Sequence, residues 1–190
     1  MPGLARYEDC TAIFYDLEGN NIGKALIIEH DRHDMSILVN DDLGDDKQGT
    51  RISVLIVHND GVSEYNGIVR GMRRNAREIS LFNRRQRGGR EAVRYTVNMP
   101  AVIENLVEDS VRKPLSGPLH ILVVNISTSG MLFKSKPGFF SMGSKLEVIL
   151  NLGDKENLLF GEIIRETPNL DFTCDFGYKF IASAESENLI

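Results

Sequence analysis

The chain has 190 residues, 42% apolar and 26% charged, with a formal net charge of −5. That balance reads as globular and soluble, with material for a real core in one large or two small domains. Two cysteines in no metal spacing, apolar runs too short to span a bilayer and an N-terminus without an apolar signal core argue against a disulfide scaffold, a membrane protein and a secreted one, and so for a cytoplasmic protein.

Nearly every apolar stretch is short, β-branched and bounded by turn residues, which predicts strands. In the first half these are Thr11 to Tyr15, Lys24 to Glu29, Met35 to Val39, an alternating run in which Ile52, Val54 and Ile56 share one face, Glu64 to Met72, and Glu78 to Phe82. Asn59-Asp60-Gly61 is a hairpin signal, because Asp-Gly tolerates positive φ. Six strands in about eighty residues fit a small barrel or sandwich.

The second half repeats the style. Strands are expected over Tyr95 to Leu106, His120 to Ile126, Met131 to Lys134, Lys145 to Leu152, Asn157 to Glu166 and Asp171 to Ile181, with a short helix over Ser183 to Ile190. The expected fold is all-β: two small barrels in tandem, residues 1–83 and 84–190, joined by an arginine-rich loop over 84–94.

Charge is distributed unevenly. Nine of the fourteen arginines lie between Arg70 and Arg94 beside two acids, Glu78 and Glu91, so this stretch carries +7 and the remainder −12. Arg70, Arg73, Arg74 and Arg77 read as a solvated strand-turn face. Arg84, Arg85, Arg87, Arg90 and Arg94 surround Gly88-Gly89 and read as an anion-holding loop. Arg90-Glu91-Ala92-Val93-Arg94 runs directly into the alternating strand at Tyr95. Thirty residues on, Asn125-Ile126-Ser127-Thr128-Ser129-Gly130 forms a polar turn inside an apolar region.

The order, spacing and strand context of Arg90-x-x-x-Arg94 and Asn125-x-Ser127-x-x-Gly130 resemble the PilZ domain over about residues 84–190. Gly143-Ser144-Lys145-Leu146 and Gly177-Tyr178-Lys179-Phe180-Ile181 are similar to later parts of the same family. Residues 6–83 more weakly resemble the N-terminal domain of flagellar-brake PilZ proteins. The resemblance implies a six-stranded barrel, a receptor for the second messenger cyclic di-GMP, and a protein target such as a flagellar motor or export component. It implies ligand contacts from Arg90, Arg94, Asn125, Ser127 and Gly130, with Arg85 and Arg87 as further candidates. The first position of the downstream motif is Asn125 where the family also uses Asp, which removes a charge near phosphate.

The chemistry of these residues fits such a ligand. Arginine's planar fork bonds the guanine O6/N7 edge or a phosphate bidentately, whereas lysine offers a point charge. Asn125 can bond guanine or phosphate, Ser127 offers a hydroxyl, and Gly130 permits positive φ and close backbone approach.

Blander readings stand beside this one: a PilZ-fold interaction module without significant nucleotide binding, or a nucleic-acid patch, which the lack of interleaved aromatics weakens. His30-Asp31-Arg32-His33-Asp34 reads as a polar turn rather than a metal site, and Asp41 to Asp46 as an acidic loop. No Walker loop, dinucleotide fingerprint or nucleophile elbow occurs, so no catalytic residues, metal or cofactor are expected and the chain reads as a non-enzyme.

Overall fold

The computed structural model describes residues 6–40, 43, 48–59, 61–82, 92–108, 111–152 and 155–181. Among them the only regular elements are strands: β1 (Thr11–Tyr15), β2 (Asn21–Asp31), β3 (Ser36–Asn40), β4 (Arg51–His58), β5 (Gly61–Arg73), β6 (Ala76–Phe82), β7 (Tyr95–Glu108), β8 (Val111–Ser127), β9 (Gly130–Ser135), β10 (Lys145–Leu152), β11 (Lys155–Pro168) and β12 (Cys174–Phe180). They close into two six-stranded barrels, in the order β1-β2-β3-β6-β5-β4 and β10-β11-β12-β9-β8-β7. Apart from Gly61 at the start of β5, each barrel lies in its own compact unit. The expected all-β tandem is therefore the observed architecture. The helix expected over Ser183 to Ile190 lies outside the described residues, as do Arg84, Arg85, Arg87 and Arg90.

In the first barrel, period-2 alternation fills the interior. Ala12 and Phe14 of β1, Ile52, Val54 and Ile56 of β4, and Ile79 and Leu81 of β6 belong to one buried apolar cluster. Tyr7 is packed into that cluster, its hydroxyl 2.8 Å from that of Tyr65 and donating to Ser63 Oγ at 3.0 Å. The β5–β6 hairpin turns on Arg74 and Asn75, both at positive φ, the geometry of a tight hairpin.

Two local expectations are corrected here. Arg70, Arg73 and Arg74 are tied to Ser80, Glu78 and Glu29, but Arg77 is 4% exposed and is not part of a solvated face. His30 belongs to the end of β2 rather than to a polar turn. It is buried, its ring centroid 4.9 Å from that of Tyr7, and neither ring nitrogen has a hydrogen-bond partner among the described residues. Burial, and then the charge of Arg32, hold its pKa below the usual value.

The second barrel is packed by Ala101, Ile103, Ile121, Val123, Phe133, Leu146, Val148, Ile163, Phe176 and Tyr178, all buried. Phe133 stacks on Phe176 at 5.4 Å, and Phe140 closes on Phe176 edge-on at 5.5 Å. β8 begins at Val111, nine residues earlier than the sequence suggests. Its ladder with β7 jumps from Ile103–Leu119 to Asn105–Pro114, so Leu115 to Pro118 leave the pairing and β8 resumes beyond them. Arg112 on this early part of β8 reaches the buried Glu147, Nε to Oε1 at 2.8 Å and a terminal nitrogen to the same oxygen at 2.7 Å. Asn105 donates to the other carboxylate oxygen at 3.3 Å.

Candidate functional site

A cavity of about 650 Å³ opens on the second barrel, within the range of small-ligand sites. It runs from the segment that leads into β7 across four neighbouring strands, β8-β9-β12-β11, and the strand register explains how. Thr96 pairs with Asn125, Asn125 with Leu132, Leu132 with Gly177, and Gly177 with Arg165, so one row crosses the sheet from β7 to β11. A second row runs from Ser127 to Gly130 to Lys179. Arg94 stands one position before the Tyr95–Ile126 pair, level with Ser127 at the end of this row.

Of the residues named from sequence, Arg94, Asn125, Ser127 and Gly130 all line this cavity. Arg85, Arg87 and Arg90 fall outside the described residues. Four further features were not legible as site residues: Arg165 and Lys179, both exposed, the apolar Ile164, and Gly177. No acid is among the described lining residues. Among the described residues, Arg94, Arg165 and Lys179 make no ion pair, so the cavity holds three uncommitted cations.

Three β-bulges shape the site. The β7–β8 ladder slips between Thr96 and Met99, where Asn98 adopts φ +45°. The β8–β9 ladder slips between Val123 and Asn125, and the β11–β12 ladder between Ile163 and Arg165. An extra residue on one strand re-aims the side chains beside it. The last bulge lets Ile164 and Arg165 both reach the cavity from consecutive positions, which plain alternation forbids. A bulge leaves no spacing signal in the sequence.

Two glycines form the low part of the floor. Gly130 carries no positive φ, contrary to the expectation for this turn. Its requirement is close approach: a Cβ there would overlap the Tyr178 carbonyl oxygen, lie 3.1 Å from its carbon and stand 3.2 Å from Lys179 Cα. Gly177 likewise leaves room for its cross-strand partner, since a Cβ there would lie 3.1 Å from Arg165 Cβ. Ser127 is buried, and its hydroxyl donates to the Gly130 carbonyl at 3.1 Å while accepting weakly from the Ser129 N–H at 3.4 Å. That proton is committed to the turn, so toward a ligand the hydroxyl offers mainly lone-pair density.

Beneath the floor, the Tyr178 side chain points into the barrel. Its hydroxyl lies 2.8 Å from both the Leu146 and the Leu159 carbonyl oxygens. Burial, with a smaller contribution from Glu147, raises its pKa well above the ordinary tyrosine value. The tyrosine ties β12 to β10 and β11, holding Gly177 and Lys179 in place on either side of it.

Chemically, the arrangement is a shallow trough with cations on two margins, polar groups from Asn125 on one side, and apolar surface from Met131, Leu132 and Ile164 between. It suits a planar, multiply anionic organic ligand. Among the described residues there is no group of three or more His, Cys, Asp or Glu able to hold a metal, and no helix long and apolar enough to cross a membrane.

A closed second barrel of six strands, with Arg-x-x-x-Arg leading into its first strand and Asn-x-Ser-x-x-Gly at its second turn, resembles a PilZ domain. In fold the chain is similar to an inhibitor of motility from Bacillus subtilis (MotI/DgrA), at 16% identity and TM-score 0.37, over 97% of this chain and 94% of that one. It is likewise similar to K. pneumonia MrkH in a complex with c-di-GMP, at 14% identity and TM-score 0.38, over 95% and 84%. A third is Escherichia coli YcgR in complex with c-di-GMP, at 9% identity and TM-score 0.37, over 95% and 80%. No family model matches the chain, and no curated protein matches it in sequence.

Proposed function

We propose that the chain is a non-enzymatic receptor for cyclic di-GMP, acting in the cytoplasm through a protein target such as a flagellar motor or export component. The supporting observation is convergence. Arg94, Asn125, Ser127 and Gly130, singled out by two motifs thirty residues apart, line one cavity with no acid among its described lining residues. Cyclic di-GMP brings two phosphate anions and two guanines. Arg94 provides a fork for a phosphate or a guanine edge, Asn125 a donor and acceptor pair, and Gly130 a floor low enough for the ligand to lie against backbone. Arg85, Arg87 and Arg90 in the segment before Arg94 complete the anion-holding loop in this reading.

Calorimetric titration tests it. The parent protein is expected to bind cyclic di-GMP with guanine specificity and to ignore cyclic di-AMP. Equal binding of both, or of single-stranded RNA at comparable strength, contradicts the reading. The signal in this proposal is interdomain: a ligand gripped by the arginine segment that joins the two barrels narrows their relative orientations. Small-angle scattering is expected to show a more uniform particle at saturating ligand. Identical profiles would remove the rearrangement while leaving binding in place.

A further inference from the structure

We infer that His30 is an acid-operated latch in the first barrel: its neutral ring holds the segment before β1 in place, and its protonated ring turns into the neighbouring cleft and releases that segment. The device is built entirely within the first barrel and does not depend on what the second barrel binds.

Tyr7 is the anchor of the segment. Its ring belongs to the buried apolar cluster, with the ring centroids of His30 at 4.9 Å, His58 at 5.7 Å and Tyr65, edge-on, at 5.9 Å. The backbone that follows is tied to β2. The Asp9 N–H donates to the Ile27 carbonyl at 2.8 Å, and the Ile27 N–H returns to the Cys10 carbonyl at 2.9 Å. Asp9 itself sits at φ +62°, a left-handed conformation that the surrounding bonds must hold.

A neutral imidazole carries one donor and one acceptor, and His30, 8% exposed, satisfies neither among the described residues. A neutral ring tolerates this, because its face packs on Tyr7. An imidazolium in the same place presents two N–H donors with no acceptor and a charge withdrawn from water. Beside the ring lies a cleft of about 570 Å³, lined by His30 and by three acids, Glu8, Glu29 and Asp31. Asp31 already accepts from the His33 and Asp34 N–H groups, and Glu29 pairs with Arg74 at 3.4 Å. Glu8 is exposed and makes no ion pair among the described residues, which leaves it as the acceptor for a protonated ring.

The other charged groups facing His30 oppose protonation in place. Arg6, Arg32 and His33 line the same cleft, and His58 stands near Tyr7. On β3 the residue paired with His30 is the apolar Ile37. Burial first, then Arg32, lower the ring's pKa from its ordinary 6.5, against a smaller pull from Glu8 and Asp31. Above that ordinary value the ring is neutral whether latched or free. As pH falls through it, the free ring takes up the proton first, so the latched form loses stability until its own lower pKa is passed.

The test follows the full chain by nuclear magnetic resonance from about pH 7.5 to 5.5, the window in which a histidine titrates, in the parent, His30→Phe, His30→Gln and Glu8→Gln. In the parent the His30 ring protons are expected to lose the upfield shift that packing on Tyr7 imposes. Exchange of the Asp9 and Ile27 amides, corrected for the intrinsic rate, is expected to accelerate by about tenfold for each unit by which the latched pKa lies below the free one. Both His30 variants are expected to show no such acceleration, and Glu8→Gln to need a lower pH for it. Acceleration of equal size in the parent and in whichever His30 variant folds overturns the latch. So does a His30 ring that protonates while keeping its upfield shift.

Discussion

Gly130 and Tyr178 meet backbone to backbone, so closely that a single added Cβ on Gly130 would fall inside the Tyr178 carbonyl oxygen. Gly130→Ala therefore forces β9 and β12 apart at the floor of the cavity. Overpacking of this kind costs about 2–3 kcal/mol, and here the obstacle is backbone that cannot rotate away. Chemical denaturation is expected to show that loss, and calorimetry a parallel loss of cyclic di-GMP affinity. A variant with unchanged stability would mean that the two strands are further apart than described.

Arg94→Ala and Ser127→Ala should separate cleanly. Arg94 is exposed and without an ion-pair partner among the described residues, so its loss is expected to leave the melting temperature unchanged while weakening ligand binding by about 2 kcal/mol. Ser127 is buried and holds the turn through its bond to the Gly130 carbonyl, so Ser127→Ala should cost about 1 kcal/mol of stability as well as some binding. The reverse pattern, a destabilised Arg94 variant and a stable Ser127 variant, would assign the two residues wrongly.

Alkaline pH offers a test of the barrel beneath the site. The folded-state pKa of Tyr178 is raised above its unfolded value near 10, so its contribution is fully present below about pH 10 and is lost as pH rises toward the folded pKa. Tyr178→Phe leaves the Leu146 and Leu159 carbonyls without this donor and is expected to cost about 1–3 kcal/mol at neutral pH. The same variant should flatten the loss of stability above pH 10. A parent and variant with parallel alkaline limbs would contradict this.

Arg112→Ala strands the buried Glu147 carboxylate, which keeps only the longer bond from Asn105. Removing the partner of a buried charge is expected to cost about 2–3 kcal/mol, discounted from the fully buried case because Arg112 itself is half exposed. The double variant Arg112→Ala/Glu147→Gln should recover part of that loss in denaturant melts. No recovery would place the cost elsewhere in the β7–β8 arm.

The strands were readable because alternation and turn chemistry agree along most of the chain: Ile52, Val54 and Ile56 alternate into the core as their spacing says, and Gly61 supplies the positive φ that Asp-Gly predicts. The early part of β8 was not, because Pro114, Gly117 and Pro118 read as loop, while the ladder pairs Pro114 with Asn105 and skips Leu115 to Pro118. His30 was misread for a related reason. Its neighbours Asp31 to Asp34 do form an Asx turn, Asp31 accepting from the His33 and Asp34 N–H groups at 2.9 and 3.1 Å, but the ring itself packs on Tyr7. In the site, local motifs pointed to Arg94, Asn125, Ser127 and Gly130. Arg165 and Lys179 join them only through strand register and a bulge, which are tertiary facts. Gly130 was named for positive φ and for close backbone approach, and the strand geometry requires the second and not the first.

The most direct test of the account is the map of backbone amide shifts during a titration with cyclic di-GMP. The account predicts that shifts concentrate at Arg94, Asn125, Ser127, Gly130, Gly177 and Lys179, with the interior of the first barrel unmoved. Saturable binding whose shifts fall on the first barrel and leave Gly130 and Gly177 unmoved would contradict it.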